Sequence, residues 1–516
     1  MLLPKVKKFI EKAGFLTFSK PLNICFFDDT AKSLVKAAEL LIPYHFNISS
    51  YETADIILKT NCDLFVNSFL KIDIDEKIFA EFSNRESGRD ALSVIGELCE
   101  NDGDLLKIKR VYIEDYPDLS FRSFMQDVGR KYVPIDEMKS QILLMAKMRM
   151  NVLHFHFTEH TGFGIAFKDF PELKGAPVTG GKQYTEDDIK EIVDYAYYLC
   201  IDVIPEIDLP AHANAITDKF PQLLCKTTDG NPPNGWALCV GNEETYLFLD
   251  KLLTSVSRLF KSEYIHLGTD EISMHDCDRI PKPVADFARC SVCGSLGLDE
   301  TELFYYFVRR VYEILKKLGK KMIIWNDQID ISKSPDIPRD IIIEFWRVAG
   351  PHRGPIDGCS MQRFLEEGFD VINANYPDTY IDLYVDYDRL LNWNPCTFPA
   401  NDKGTKGKII GADFCAWDVF KHFVHSIPVS TLFFANKFRN TSDNDDLQKI
   451  ASQRLFGIND FNIFDYTKKV IDLDESLDVF KNDADLQKIK NILEAHNPRD
   501  ISEEYIQKTY LSLLKR

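Results

Sequence analysis

Between Phe121 and Trp417 the chain carries eight short apolar runs: FRSFMQD, NVLHFHF, DVIPEID, YIHLG, KMIIW, IIIEFW, FDVINAN and IIGADFCAW. Longer amphipathic stretches separate them. Parallel strands covered on both faces read as such compact runs, because neither side of the sheet meets water. The intervening stretches carry helix-start signals. PIDEMKSQILLMAKMRM opens on Pro134, Asp136 and Glu137, and TEDDIKEIVDYAYYLC sets Thr185 as an N-cap with Asp188 three residues on. Eight strands joined by helical crossovers predict a (β/α)8 TIM barrel, an α/β fold.

The flanks differ from this middle. Residues 1–112 hold a strand-like LNICFF, a helix-like AKSLVKAAELLI, a strand-like ADIILK and a helix-like GRDALSVIGELC, which predicts a small α/β domain. The barrel is expected over 113–425 and a mostly helical C-terminal extension over 426–516, in which no heptad seam is evident.

Charge and hydropathy exclude several partners. The net charge of −18 opposes binding to a phosphate backbone or to anionic lipid, so neither nucleic acid nor membrane is an expected partner. No run of 18 apolar residues occurs. The opening MLLPKVKKFIEKAGF interleaves four lysines with apolar positions, unlike a secretory leader, so a cytoplasmic location is expected. Of the 12 cysteines, Cys25, Cys99, Cys200 and Cys415 sit in apolar runs and read as buried free thiols. The spacing of His275, Cys277, Cys290 and Cys293 admits a structural zinc site, although with one CxxC a reduced cysteine pair is the plainer reading.

Barrel enzymes assemble their sites at the C-terminal ends of the strands, and the chemically capable residues gather at those ends. Strand two ends in His154, His156 and Glu159, strand three in Glu206, Asp208 and His212, strand four in Asp270 and Glu271; strands five, six and eight end in Trp325, Trp346 and Trp417. Singly, a His or Trp in such a place is most often a packing residue. An Asp–Glu pair directly after a buried strand is harder to explain without a task, because burying charge is costly. Neighbouring side chains on a strand point to opposite faces, so the two carboxylates are expected to face different ways.

FRSFMQDVGRKYVPIDEM, NVLHFHFTE, YTEDDIKEIVDYA, VIPEIDLPAH and YIHLGTDE, in this order, resemble glycoside hydrolase family 20, the β-N-acetylhexosaminidases. The leading 112 residues resemble the small domain preceding the barrel in that family. The resemblance implies a retaining exo-enzyme that removes terminal β-linked GlcNAc or GalNAc from oligosaccharides or glycoconjugates without a cofactor. The sugar's own 2-acetamido oxygen attacks the anomeric carbon and forms an oxazolinium, an exception to the two-carboxylate scheme. It further implies Glu271 as general acid and base, an ionised Asp270 holding the acetamide N–H, and Tyr380 donating to the acetamide oxygen. His212 with Glu159 would support Glu271. Arg130 and Asp382 would bind sugar hydroxyls, Trp325, Trp346 and Trp417 would wall the pocket, and His156 and Asp208 would stand behind.

The chain departs from the family pattern at several points. Thr269 replaces a glycine before the acid pair, Ala211 replaces the glycine of the usual PGH stretch, and Glu159 stands in for an Asp, which could shift the pH optimum. HTGFGIAF, after strand two, lacks an arginine that many members carry. In the usual Trp-x-Glu of strand eight, Val419 takes the place of the carboxylate after Trp417 and Asp418. The departures admit two further readings: a relative retuned to a modified 2-acetamido sugar, or a carbohydrate-binding protein without turnover. The sequence leaves the oligomeric state open.

Overall fold

The computed structural model describes residues 2–443 except 62, 64–67, 161, 227–236, 273–286, 288–289, 332–334, 347–359, 377, 382–389 and 418–425. Its centre is a closed barrel of eight parallel strands: Phe121–Asp127, Val152–His156, Asp202–Glu206, Tyr264–His266, Lys321–Trp325, Ile342–Phe345, Val371–Asn373 and Ile409–Ala416. All eight apolar runs thus became strands, and the eighth closes on the first in parallel register, Asp413 beside Ser123. The helix Glu186–Tyr198 starts on a capping box between Thr185 and Asp188, as its sequence predicts.

Inward-facing positions stack in layers. The lowest holds Val152, Ile204, Ile323, Ile342 and Ile372, backed by Phe121, Tyr264 and Ile410. Each such side chain contributes about 1.5–3 kcal/mol by leaving water. Two residues further along strands two, three, four and six the interior turns polar, with His154, Glu206, His266 and Glu344 buried, joined by Asp413 of strand eight. Strand periodicity of two makes this change possible without disturbing the outer face, where the helices pack.

The N-terminal domain is an eight-stranded mixed sheet. Leu22–Phe26 and Ile56–Thr60, both expected, pair in parallel. Strands not expected are Lys8–Ser19, Phe46–Ile48, Leu70–Ile74, Ile78–Phe82, Cys99–Asp102 and Leu105–Asp115. Leu70–Ile74 and Ile78–Phe82 form a hairpin whose buried residues alternate strictly, a pattern legible in LKIDI and IFAEF. Lys8–Ser19 is an edge strand, and its lysines blunt an edge that would otherwise recruit other strands.

After strand eight, Ser426–Arg439 forms a helix that packs on barrel strands one and eight and on the helix Ile135–Lys147; Phe434 stacks on Phe414 at 4.9 Å. The rest of the expected helical extension, 444–516, lies outside the described residues. No described helix is long and apolar enough to cross a membrane.

Candidate active site

The mouth of the barrel is built by the segments that leave the strand ends. Strand four ends at His266, and the chain then enters left-handed backbone at Gly268 (φ +63°), Thr269 (φ +78°) and Glu271 (φ +53°). A side chain at 268 would meet the Asp208 carboxylate at 2.1 Å, so only glycine fits there. Thr269, by contrast, is a β-branched residue in a conformation it disfavours by about 1–3 kcal/mol. Its N–H donates to Asp208 Oδ1 (3.2 Å), and the N–H of Glu271 donates to Asp327 Oδ2 (2.9 Å).

This loop overturns the expectation that the two carboxylates face different ways. Alternation belongs to a strand, and the strand has ended. His212 Nε2 lies 3.5 Å from Glu271 Oε2 and 3.9 Å from Asp270 Oδ2, so both acids converge on one imidazole. His212 is itself in left-handed backbone (φ +50°), which turns it back toward strand four. Its Nδ1 lies 3.0 Å from Glu159 Oε2, giving a chain Glu159–His212–Glu271.

Glu159 is buried among an arginine and three histidines. Arg130 donates to its Oε1, His160 Nδ1 lies 2.7 Å from Oε2, and His156 Nε2 lies 3.6 Å from Oε1. Burial opposes its ionisation, but His212 and Arg130 outweigh that and hold its carboxyl well below the usual range. Conversely, burial opposes charging His212, and Glu159 and Asp208 override it, raising His212 well above the ordinary imidazole value. The extra methylene of Glu159 leaves the bond to His212 intact.

Asp208 and Asp270 behave in the opposite way. Burial raises both; the charge of Asp208 raises Asp270 further, while Glu206 and Glu159 raise Asp208 and its hydrogen bond to Asp270 lowers it. Asp208 and Asp270 share one buried site, where two carboxylates resist ionising together. Asp270 Oδ1 and Trp417 Nε1 are buried with no hydrogen-bond partner among the described residues. Such orphaned atoms mark where a ligand's polar groups would be held.

Aromatic residues enclose the opposite side. Trp346, Tyr380 and Trp417 lie in sequence around the pocket, with Tyr380 6.3 Å from Trp346 and 6.2 Å from Trp417 between ring centres. Tyr380 is placed by a short parallel bridge to Cys415. Trp346 Nε1 donates to Asp327 Oδ1 (3.0 Å), so Asp327 ties this wall to the backbone of Glu271. Trp325 belongs to the same aromatic cluster, its ring 6.0 Å from that of Trp417, and donates from Nε1 to Glu206 Oε1 (2.7 Å). Arg130 sits 5.5 Å over Trp417, its fork shared between Asp127 (2.8 Å) and Glu159. His156 Nδ1 lies 2.5 Å from Glu206 Oε2, and burial opposed by Glu206 leaves its pKa pushed up to about 9.

Sequence reasoning assigned no role to several residues here. Glu206 and His154 stood at strand ends, but the layer they form with His266, Glu344 and Asp413 went unread. Inward phase would have found it, since His154, Glu206, His266 and Glu344 lie two residues above Val152, Ile204, Tyr264 and Ile342. Asp127, Asp327 and His160 had no comparable signal. Asp382, Asp418, Val419, His275 and Cys277 lie outside the described residues.

Residues 119–421, more than half of the chain, match the model of the glycosyl hydrolase family 20 catalytic domain. The chain belongs to glycosyl hydrolase family 20. Among family relatives, it is 29% identical over 388 residues to a beta-hexosaminidase of Vibrio furnissii, covering 70% of this chain and 60% of that one. It is 32% identical over 248 residues to a beta-hexosaminidase of Porphyromonas gingivalis, covering 45% of this chain and 31% of the other. The chain thus spans less than two thirds of either relative. The beta-N-acetylhexosaminidase of Bacteroides fragilis shares the fold, with a TM-score of 0.74 at 23% identity over 89% of this chain and 95% of that one. So does an exo beta-N-acetylglucosaminidase of Vibrio harveyi in complex with N-acetylglucosamine, with a TM-score of 0.71 at 22% identity, 84% of this chain and 73% of that one.

Proposed function

We propose that this family 20 chain is a retaining exo-β-N-acetylhexosaminidase that removes terminal β-linked GlcNAc or GalNAc by substrate-assisted catalysis. The observation that carries the reading is the convergence of Asp270 and Glu271 on His212, opposite an aromatic wall of Trp346, Tyr380 and Trp417.

In this reading Glu271 protonates the glycosidic oxygen as the acetamide oxygen attacks the anomeric carbon, and the C–O bond to the leaving group breaks. The oxazolinium that forms is opened by water, whose proton returns to Glu271. His212, held by Glu159, orients the Glu271 carboxyl for both steps. Asp270 accepts the acetamide N–H. That hydrogen bond favours its ionised form, the state the reaction needs. Tyr380 donates to the attacking oxygen, and the indole faces pack against the pyranose and the acetamide methyl. Arg130 and Asp382 are assigned to sugar hydroxyls.

The test is hydrolysis of p-nitrophenyl β-GlcNAc and β-GalNAc, with the β-glucoside as a control lacking the internal nucleophile. Release from an acetamido sugar and not from the glucoside is the expected result. Equal release from the glucoside would overturn substrate assistance, and inactivity on all three, with sugar binding retained, would favour a binder or a retuned pocket.

A further inference from the structure

Strands three and four of the barrel send out the two loops that carry His212 and the acid pair. Further along, each contributes two cysteines. Cys225 and Cys239 flank an antiparallel bridge between Leu224 and Leu238, in which the Cys225 N–H donates to Ala237 O (3.0 Å) and the Cys239 N–H to Leu223 O (2.7 Å). Cys290 caps the short helix Ser291–Gly294, within which Cys293 lies. All four are at most 2% exposed.

Their sulfurs meet. Cys239 Sγ is 3.7 Å from Cys290 Sγ and 3.6 Å from Cys293 Sγ, and the sulfurs of Cys225, Cys290 and Cys293 all lie within 4.8 Å of one another. A disulfide would bring a pair to about 2.05 Å. Four sulfurs each about 2.3 Å from a central zinc stand about 3.8 Å apart along the edges of a tetrahedron. The two separations from Cys239 fit the second arrangement, and the Cys225 sulfur stands within 4.8 Å of those of Cys290 and Cys293.

The backbone is shaped for the same contact. A side chain at Gly241 would meet Cys293 Cα at 2.9 Å, so the chain leaving Cys239 is seated directly on the Cys290–Cys293 turn. Four thiols brought together from two loops, with only weak S–H donors to offer one another, gain little as a reduced cluster. As thiolates around one cation they would tie the loops together.

We propose that Cys225, Cys239, Cys290 and Cys293 form a structural tetrathiolate zinc site. Binding releases the thiol protons, and four protein ligands fill the tetrahedral shell, leaving no position open for water or substrate. The metal therefore takes no part in the chemistry. It clips the loop of His212 to the loop of Asp270 and Glu271. The ligand set differs from the one that spacing suggested, since Cys225 and Cys239 take the places considered for His275 and Cys277.

The experiment is metal analysis of the full chain purified without chelator from zinc-replete medium. About one zinc per chain is expected, retained through dialysis against EDTA and released when a mercurial blocks the thiols. Cys290→Ser should lose the zinc, and Cys200→Ser, outside the cluster, should keep it. If Cys290→Ser does not fold, wild-type protein loaded with cobalt should show the strong visible bands of a tetrahedral thiolate site. Wild-type protein that lacks zinc and takes up none after reduction would overturn the proposal. So would iron as the bound metal, or a disulfide between any two of the four in protein purified under reducing conditions.

Discussion

Buried charge gathers in two places in this molecule, and the two are built from different cations. At the seam between the N-terminal domain and the bottom of the barrel, Arg149 and Arg439 both reach Asp115 Oδ2 at 2.7 Å, and Arg439 reaches Asp90 at 2.8 Å. Arg122 pairs with Glu86, and Arg89 donates to Met150 O at 2.8 Å. At the mouth, among the described residues, Arg130 is the arginine of the cluster, and imidazoles stand beside Glu159, Glu206, Asp208, Asp270 and Glu271. Guanidinium stays charged at any physiological pH, so the seam is a fixed clamp. Imidazole and crowded carboxylates can change protonation when a ligand arrives, so the mouth can do chemistry.

The largest difference should come from Glu271→Gln. Activity on an acetamido aryl glycoside is expected to fall about 10³-fold or more while the unfolding midpoint in denaturant stays at the wild-type value. Unchanged kcat would break the assignment of Glu271 and with it the functional half of the comparison.

Asp115→Asn should give the reverse pattern. It removes the carboxylate from buried Arg149 and one of the two from buried Arg439, which is expected to destabilise by about 3–5 kcal/mol in chemical denaturation, with KM of the folded fraction unchanged. A shift confined to kinetics would mean that the seam belongs to the site.

A smaller effect should appear in the pH dependence of stability. His212 has a raised folded pKa, so its contribution is fully present below its ordinary value of 6.5 and is lost as pH rises through the raised value. Glu159 has a lowered one, so its contribution is present above 4.5 and is lost as pH falls through the lowered value. At the seam Glu86 is lowered, burial being outweighed by Arg122 and Arg89, and it weakens only in acid. Thermal unfolding against pH should therefore show an alkaline decline in wild type that is shallower in His212→Gln. An identical decline in both would remove His212 as its source.

The smallest change sharpens the picture of the acid loop. Thr269→Gly relieves a β-branched residue at φ +78° and should stabilise by about 1 kcal/mol net of the added chain entropy, with activity retained. Destabilisation would show that the Thr269 side chain carries packing that outweighs its strain.

Much of this was legible along the chain because the signals are local. Apolar runs announced the eight strands, Thr185 and Asp188 announced a helix start, and HLGTDE marked the acid loop. The N-terminal sheet was less legible. Lys8–Ser19 is almost wholly exposed and has no apolar face to betray it, whereas the alternation in LKIDI and IFAEF was present and unread. Trp325 was expected at the pocket from its place at a strand end, but its hydrogen bond to Glu206 joins two strands and could not be read along the chain.

By itself, then, the sequence determined the barrel, its family and the end at which the site forms, since the burial of each strand and the residues at its tip are set within a few positions. Only the tertiary structure decided that Asp270 and Glu271 share one histidine. It also decided that four cysteines from two loops share one centre. Alternation stops where a strand stops; beyond that point left-handed backbone and the adjacency of strands three and four determine which side chains meet.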